Sequence, residues 1–171
     1  MSSPTPQRAT IHFPPTYPTL TNPSLILFGT IESSSTENWA THLSTSLLDL
    51  PIQILSPRRD DWDASWVESP AFAPFHEEVE WEMFHPAHVG LIVICFKAGS
   101  LCPVSLLELG MYAALHAGKT VVCCEEGFWK RGNVEMVCAQ FGVVCVGTVG
   151  ELEVVVRGRM EALSGKREEG K

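Results

Sequence analysis

Short apolar runs bounded by turn residues are spaced along this chain. The first, residues 25–28, is continuous and ends at Gly29, which is typical of a strand buried on both faces of a sheet. The strongest run, residues 89–96, has the same character and is expected to lie centrally in that sheet. The pattern predicts five strands, at residues 25–28, 51–55, 89–96, 120–124 and 143–146.

Between these runs, apolar residues recur at helical spacing. Trp39, Leu43 and Leu47 do so after an N-cap that we place within residues 34–36. Pro103 suits the first position of a later helix. Its apolar stripe, the side that an amphipathic helix turns to the core, is Val104, Leu107, Met111 and Leu115. Helices are predicted near residues 36–50, 75–84, 103–117, 133–141 and 149–163.

Regular alternation of strands and helices predicts a parallel sheet covered on both faces. The expected fold class is therefore α/β, a single-domain flavodoxin-like or Rossmann-like three-layer sandwich with a five-stranded, mainly parallel sheet. Such sheets bind ligands at the carboxyl ends of their strands. Those ends are followed here by the turns 29–33, 56–63, 97–102 and 125–133.

The two ends of the chain differ in composition from the middle. Residues 1–23 are rich in Pro, Ser and Thr and show no sustained period, so we expect an extended or disordered extension. Residues 24–163 form the predicted domain. Residues 164–171 read as a charged tail.

Charge and composition narrow the range of partners. A net charge of −8 and a pI near 5.2 oppose binding of a nucleic acid polymer and favour a small neutral or weakly charged ligand. No apolar run approaches the length of a membrane span, and the start lacks signal-peptide features, so we expect no membrane association and a cytoplasmic location. The six cysteines are predicted to be buried thiols, and no metal is expected.

Sequence motifs argue against phosphate-centred chemistry. No Gly-x-Gly-x-x-Gly follows the first strand and no Walker-type Gly-Lys-Ser/Thr occurs. Carboxylates are instead concentrated near the predicted strand ends. Cleavage of a glycosidic bond is a reaction that needs carboxylates and little else.

Five segments of the chain form a recognisable set: Phe-Gly-Thr-Ile-Glu (28–32), Ser-Pro-Arg-Arg-Asp-Asp-Trp-Asp (56–63), Glu-Trp-Glu (80–82), Ser-Leu-Leu-Glu-Leu-Gly (105–110) and Gly-Phe-Trp-Lys-Arg-Gly-Asn-Val (127–134). In their order they resemble motifs of the nucleoside 2-deoxyribosyltransferase family, and in particular of its fungal and bacterial transferase-like branch. The likeness covers residues 24 to about 157. Each motif alone is weak, but their order and spacing together are specific.

The resemblance implies that Glu108 attacks the anomeric carbon of a deoxyribose and forms a glycosyl ester while the base departs. A second base, or water, then takes the sugar. Glu108 is expected in the second turn of its helix, where the positive N-terminus favours an ionised carboxylate. No cofactor is implied.

The acidic loop supplies the other predicted catalytic groups. Asp61 and Asp63 are candidates for the general acid, while Asp60 can orient a base on which Trp62 stacks. The alternative is a solvated loop in which these aspartates pair with the preceding Arg58 and Arg59.

Further substrate-binding candidates come from the family's other motifs: Gly29, Thr30, Glu80, Glu82, Ser105, Arg131 and Asn133. Gly29 has the alternative of a plain turn glycine, and Asn133 that of a helix cap. Glu80 and Glu82 cannot face the same side of a helix, so at most one of them points into the cleft.

The sequence departs from the family at Cys102, where an aspartate usually precedes the nucleophile motif, and at His88, where an aspartate usually enters the central strand. The resemblance as a whole implies an enzyme acting on a 2'-deoxynucleoside or deoxynucleotide and a free nucleobase, and a homo-oligomer. The alternatives are a deoxynucleoside 5'-monophosphate N-glycosidase and a non-catalytic sensor of nucleosides or nucleotides.

Overall fold

The computed structural model describes residues 9–21, 23–32 and 38–168, which contain six strands and five α-helices. After the first two strands, helices and strands alternate. The strands are β1 (Thr10–His12), β2 (Ser24–Gly29), β3 (Gln53–Leu55), β4 (Leu91–Phe96), β5 (Thr120–Cys124) and β6 (Val144–Val146). The helices are α1 (Trp39–Ser46), α2 (Ala73–Phe84), α3 (Pro103–His116), α4 (Arg131–Phe141) and α5 (Val149–Glu168).

All six strands belong to one parallel sheet with the order β1-β3-β2-β4-β5-β6. Without β1, the remaining five strands have the order 2-1-3-4-5 that defines a flavodoxin-like sheet. The predicted fold class is confirmed. The predicted number of strands is wrong by one, because β1 lies within the segment that we expected to be an extension.

Helices cover both faces of the sheet and make three layers. On one face Trp81 of α2, Leu109 of α3 and Val134 of α4 pack in one apolar cluster with alternate residues of the strands. On the other face Leu43 of α1 and Val156 of α5 pack in a second cluster. Within the described ranges no helix is long and apolar enough to cross a bilayer.

Strand β1 is short and lies at the edge of the sheet. It pairs with β3 in the register Thr10 to Gln53, through main-chain groups that any sequence provides. The chain that follows it crosses to α2, where the Trp81 indole nitrogen donates to the Thr16 carbonyl at 2.7 Å. Three residues are too few to show a period of two, which is why the apolar pattern did not reveal this strand.

The helix ends differ in detail from the prediction. Helix α1 begins at Trp39 and is capped by Asn38, whose side chain accepts from the Thr41 amide at 2.8 Å. The N-cap predicted within residues 34–36 lies outside the described residues. Helix α5 continues to Glu168, past the predicted end at residue 163.

The apolar stripe predicted for α3 points away from the core. Leu107 and Leu115 are each 70% exposed, and Val104 and Met111 are exposed as well. The face that packs on the sheet contains Ser105, Glu108, Leu109, Tyr112 and Ala113. Apolar residues surround most of this helix, so helical spacing alone does not identify which side the sheet covers.

Candidate active site

Strands β2 and β4 are neighbours in the sheet. From β2 the chain continues to β3, toward one edge of the sheet, and from β4 it continues to β5, toward the other edge. In open α/β sheets, ligands bind at the carboxyl edge of such a switch point. The last residue of β2, Gly29, is paired there with Cys95. The predicted turns after these two strands therefore lie at the same place.

Gly29 brings the two strands together at this edge. Its φ is +127°, and a Cβ built on it would lie 2.1 Å from the Cys95 carbonyl oxygen. Only glycine tolerates both the backbone conformation and this distance. The geometry therefore gives Gly29 a backbone role, with the next amide, that of Thr30, donating to the Cys95 carbonyl at 2.8 Å.

The Thr30 hydroxyl connects the first turn to the loop that precedes α3. It lies 2.8 Å from the Ser100 hydroxyl and 3.1 Å from the Cys102 sulfur, and it accepts from the Lys97 amide at 2.9 Å. Cys102 has a left-handed conformation, with φ +45°, immediately before the first residue of α3. Thr30 thus fixes the position from which α3 starts.

Glu108 lies on the buried face of α3 and is only 5% exposed. Burial raises the pKa of its carboxyl group to about 7, and a hydrogen bond from Ser105, one turn earlier, opposes that rise. The sequence predicted a carboxylate kept ionised by the helix N-terminus. In the structure, burial outweighs that influence, and Ser105 is a hydrogen-bond partner of the carboxylate.

Glu82 of α2 is a second carboxyl group, on a partly buried residue, and it is close enough to Glu108 for the two charges to interact. Burial raises its pKa to about 8, and the negative charges of Glu108 and Glu78 add to the rise. Glu80 points outward, with its side chain 67% exposed. Of the two glutamates between which the sequence did not choose, Glu82 is the one that lies beside Glu108.

Tyr112 also belongs to this group, although the sequence analysis did not single it out. It lies one turn after Glu108, its ring stacks on Phe28 with centroids 5.4 Å apart, and its hydroxyl donates to the Glu82 carbonyl at 3.4 Å. Burial raises its pKa, and the Glu108 and Glu82 charges contribute. The spacing of four residues from Glu108 was the available signal.

Arg59 ties the acidic loop to α2. Its guanidinium donates to both Asp61 carboxylate oxygens, at 2.8 and 2.7 Å, and to Glu77 at 3.0 Å. Its side chain is only 4% exposed and lies over the Trp66 ring. The hydrogen bond from Arg59 lowers the pKa of Asp61, so this carboxylate is ionised at neutral pH.

The other predicted residues of this loop are exposed. Asp60 pairs with Arg58 at 3.1 Å, and Trp62 is 61% exposed. Asp63 accepts from the Ser65 amide at 2.7 Å, and hydrogen bonds to Ser65 lower its pKa. A carboxyl group that has already lost its proton is a poor proton donor, so the geometry favours Glu82 over either aspartate in that role.

Most of the chain matches the sequence profile of a known protein family. The sequence profile described as nucleoside 2-deoxyribosyltransferase like matches residues 22–128, which include β2, Glu82 and Glu108. The chain belongs to this family. No curated protein sequence matches it.

In this member of the nucleoside 2-deoxyribosyltransferase-like family, Arg131 and Asn133 follow the matched residues, in the first turn of α4. Arg131 pairs with Glu135 at 2.7 Å. Asn133 is exposed and lines a cavity of about 300 Å³ between α3 and α4, together with Leu106 and Lys130. Neither Glu82 nor Glu108 lines that cavity, so it is distinct from the carboxylate pair.

Among the residues that the structure describes there is no candidate metal site. No three or more His, Cys, Asp or Glu side chains are grouped there as ligands. His88, which departs from the family pattern, is exposed and stacks on Phe84 with ring centroids 4.2 Å apart.

Proposed function

We propose that the protein cleaves the N-glycosidic bond of a 2'-deoxynucleoside, with Glu108 as nucleophile and Glu82 as proton donor. The observation that carries this proposal is the buried Glu108 on α3 with the partly buried Glu82 of α2 close to it. Burial raises the pKa of Glu108 to about 7 and that of Glu82 to about 8. Two carboxyl groups of different pKa supply the two roles that glycoside cleavage requires. The family supports the same reaction class.

In the first step a Glu108 carboxylate oxygen attacks the anomeric carbon. The bond from that carbon to the base nitrogen breaks, its electron pair goes to the nitrogen, and the Glu82 carboxyl group supplies the proton. In the second step a nucleobase or water attacks the same carbon while Glu82 accepts its proton. The ester bond then breaks and the Glu108 carboxylate is restored without any cofactor.

Charge at the carboxyl edge favours a nucleoside over a nucleoside 5'-monophosphate. Four of the cations on these loops, Arg58, Arg59, Lys97 and Arg131, are already paired with carboxylates. A phosphate group would have to compete for one of them next to several negative charges. Hydrolysis of a monophosphate is therefore the less supported of the two reactions.

The decisive experiment is mass spectrometry of the intact protein after brief incubation with 2'-deoxyinosine, 2'-deoxycytidine or a deoxynucleoside monophosphate, with released base measured in parallel. Wild type should carry a deoxyribosyl adduct, and Glu108→Gln should carry none. Addition of a second base distinguishes transfer from hydrolysis. Glu82→Gln should slow base release, whereas Glu80→Gln, an exposed change on the same helix, should not.

A melting temperature that rises with nucleoside while no adduct and no free base appear would contradict the enzyme proposal. That result would favour the non-catalytic sensor instead. A folded Glu108→Gln protein that retains base release would exclude Glu108 as the nucleophile.

We also propose that the exposed apolar face of α3 packs against a second copy of the chain. Val104, Leu107, Met111 and Leu115 form a continuous apolar strip on the helix that carries Glu108, and Leu101 extends it. Burial of these side chains removes about 25 cal/mol of unfavourable hydration for each Å² of apolar surface. The interface would thus adjoin the carboxylate pair.

Light scattering after size exclusion tests this assembly. Wild type should be an oligomer and Leu107→Glu a smaller species. Val154→Glu is the matched control, because Val154 is 73% exposed but lies on α5, in the opposite layer. A monomeric wild type would refute the proposed interface.

A further inference from the structure

Two pairs of cysteines lie side by side in this fold, and they differ in access. Cys95 and Cys123 are register partners on β4 and β5, and both are fully buried. Cys138 and Cys145 line a cavity of about 280 Å³ between α4 and β6. Neither residue of the second pair has a role in the proposed glycosidic chemistry.

A tight turn brings the second pair together. Cys138 lies in the last turn of α4, and its carbonyl accepts from the amides of both Gly142 and Val143. Gly142 has φ +71°, the left-handed conformation that ends many helices. The chain then reverses into β6, where Cys145 lines the same cavity as Cys138 and packs against the same apolar cluster.

The two cysteines that line this cavity differ in exposure. Cys138 is 1% exposed, whereas Cys145 is partly exposed. The polar lining consists of Arg131 and Glu135, and the rest of the wall is formed by Ala139, Val143, Val146 and Gly147. Cys145 is therefore the more accessible of the two residues to a small polar molecule.

The surroundings of the pair differentiate the two thiols. The hydrogen bond with Cys138 lowers the pKa of Cys145, and the positive charge of Arg131 acts in the same direction against burial and Glu135. The same hydrogen bond, followed by burial, raises the pKa of Cys138. Because Cys145 is the more exposed residue and the thiolate is the nucleophilic form, Cys145 is the member that reacts first.

We propose that Cys145 is a peroxide-reactive thiol and that Cys138 resolves its sulfenic acid into a Cys138–Cys145 disulfide. The Cys145 sulfur attacks one oxygen of hydrogen peroxide, the O–O bond breaks, and the departing oxygen takes a proton and leaves as water. The Cys138 sulfur then attacks that of Cys145, the S–O bond breaks, and a second water leaves with the Cys138 proton. Two thiols are oxidised by two electrons, and one peroxide is reduced to two waters.

Mass spectrometry of the full chain after brief exposure to hydrogen peroxide tests this proposal. The reduced protein should lose two hydrogen atoms, and digestion under non-reducing conditions should give one crosslink, between Cys138 and Cys145. Cys95 and Cys123 provide the internal control, because they are register partners on neighbouring strands but fully buried in the core. They should remain free thiols at the same peroxide concentration.

Two variants separate the roles of the pair. Cys138→Ser should retain a sulfenic acid on Cys145 that dimedone labels, and Cys145→Ser should give neither this label on Cys138 nor the crosslink. If melting shows that Cys138→Ser does not fold, Cys138→Ala keeps the wall apolar and replaces it. Absence of the crosslink in wild type, or equal oxidation of Cys95 and Cys123, would overturn the proposal.

Discussion

At the scale of single residues, the molecule is distinguished by two carboxyl groups that burial makes harder to ionise. Glu108, with a pKa of about 7, loses its proton before Glu82, with a pKa of about 8. Between these values the pair holds one proton, and it resides mainly on Glu82. Because the two groups interact, the titration belongs to the pair rather than to either residue alone.

The rate of base release should therefore peak between about pH 7 and pH 8. Below that range Glu108 gains a proton and is no longer a nucleophile, and above it Glu82 loses the proton that the leaving base needs. A profile of kcat/KM against pH measures both limbs. Glu82→Gln should remove the alkaline limb and reduce the rate by about 10²- to 10⁴-fold, the usual contribution of a general acid.

The same pair should make folding less favourable at alkaline pH. The folded pKa values lie above the ordinary glutamate value of 4.5, so the pair's contribution to stability is fully present below about pH 4.5 and is lost as pH rises through 7 and 8. Each pH unit of the difference corresponds to about 1.4 kcal/mol for one group. Glu82→Gln should thus raise the melting temperature at pH 8.5.

Calorimetry or circular dichroism at pH 8.5 and pH 5 provides the comparison. The gain from Glu82→Gln should be much smaller at pH 5, where the folded protein holds both protons. Glu80→Gln, on the exposed side of α2, should leave the melting temperature unchanged at both pH values. An equal effect of the two substitutions would show that the burial of Glu82 is not the cause.

At the scale of secondary-structure elements, the spacing of apolar residues located the helices and five of the strands. It did not always show which side of a helix faces the sheet. The existence of α3 followed from its period, yet its buried side carries Glu108 and Tyr112 while Leu107 is exposed. A helix that is apolar on two sides satisfies either orientation. Which side of α2 faces the core likewise depends on packing that only the tertiary structure specifies, and it determines whether Glu80 or Glu82 points inward.

The junction between β2 and β4 depends on one glycine. Gly29→Ala would place a methyl group against the Cys95 carbonyl in a backbone conformation that L-residues avoid. We expect the free energy of unfolding to fall by at least about 3 kcal/mol, as measured by urea denaturation. Gly158→Ala on α5, where a Cβ meets no neighbouring atom, should instead raise it by up to about 1 kcal/mol.

At the scale of the whole molecule, the sheet includes a strand, β1, from the N-terminal segment whose composition predicted an extension outside the domain. Gln53 is 5% exposed, and its side chain accepts from the Thr21 amide and donates to the Thr19 carbonyl. These contacts involve main-chain groups of the extension, so side-chain patterns carry no trace of them. This is the physical reason why the sequence revealed the core of the sheet but not its outer edge.

Removal of residues 1–21 should destabilise the domain although it takes away few apolar side chains. The Trp81 indole and the Gln53 amide would lose buried hydrogen-bond partners, and each loss costs about 1–3 kcal/mol. Thermal denaturation of the shortened chain should show a lower melting temperature and a changed near-UV signal from Trp81. A melting temperature equal to that of the full chain would mean that water replaces these partners without cost.

The pairing of β1 with β3 also has a kinetic consequence. Thr10 is synthesised before β2 and α1, but its partner Gln53 emerges from the ribosome only after both of those elements. Two parallel strands cannot pair until the chain between them has been synthesised, so β1 has no partner strand while β2 and α1 are being made. Among the described strands, β1 therefore precedes β2 in the sequence but can join the sheet only once β3 is available.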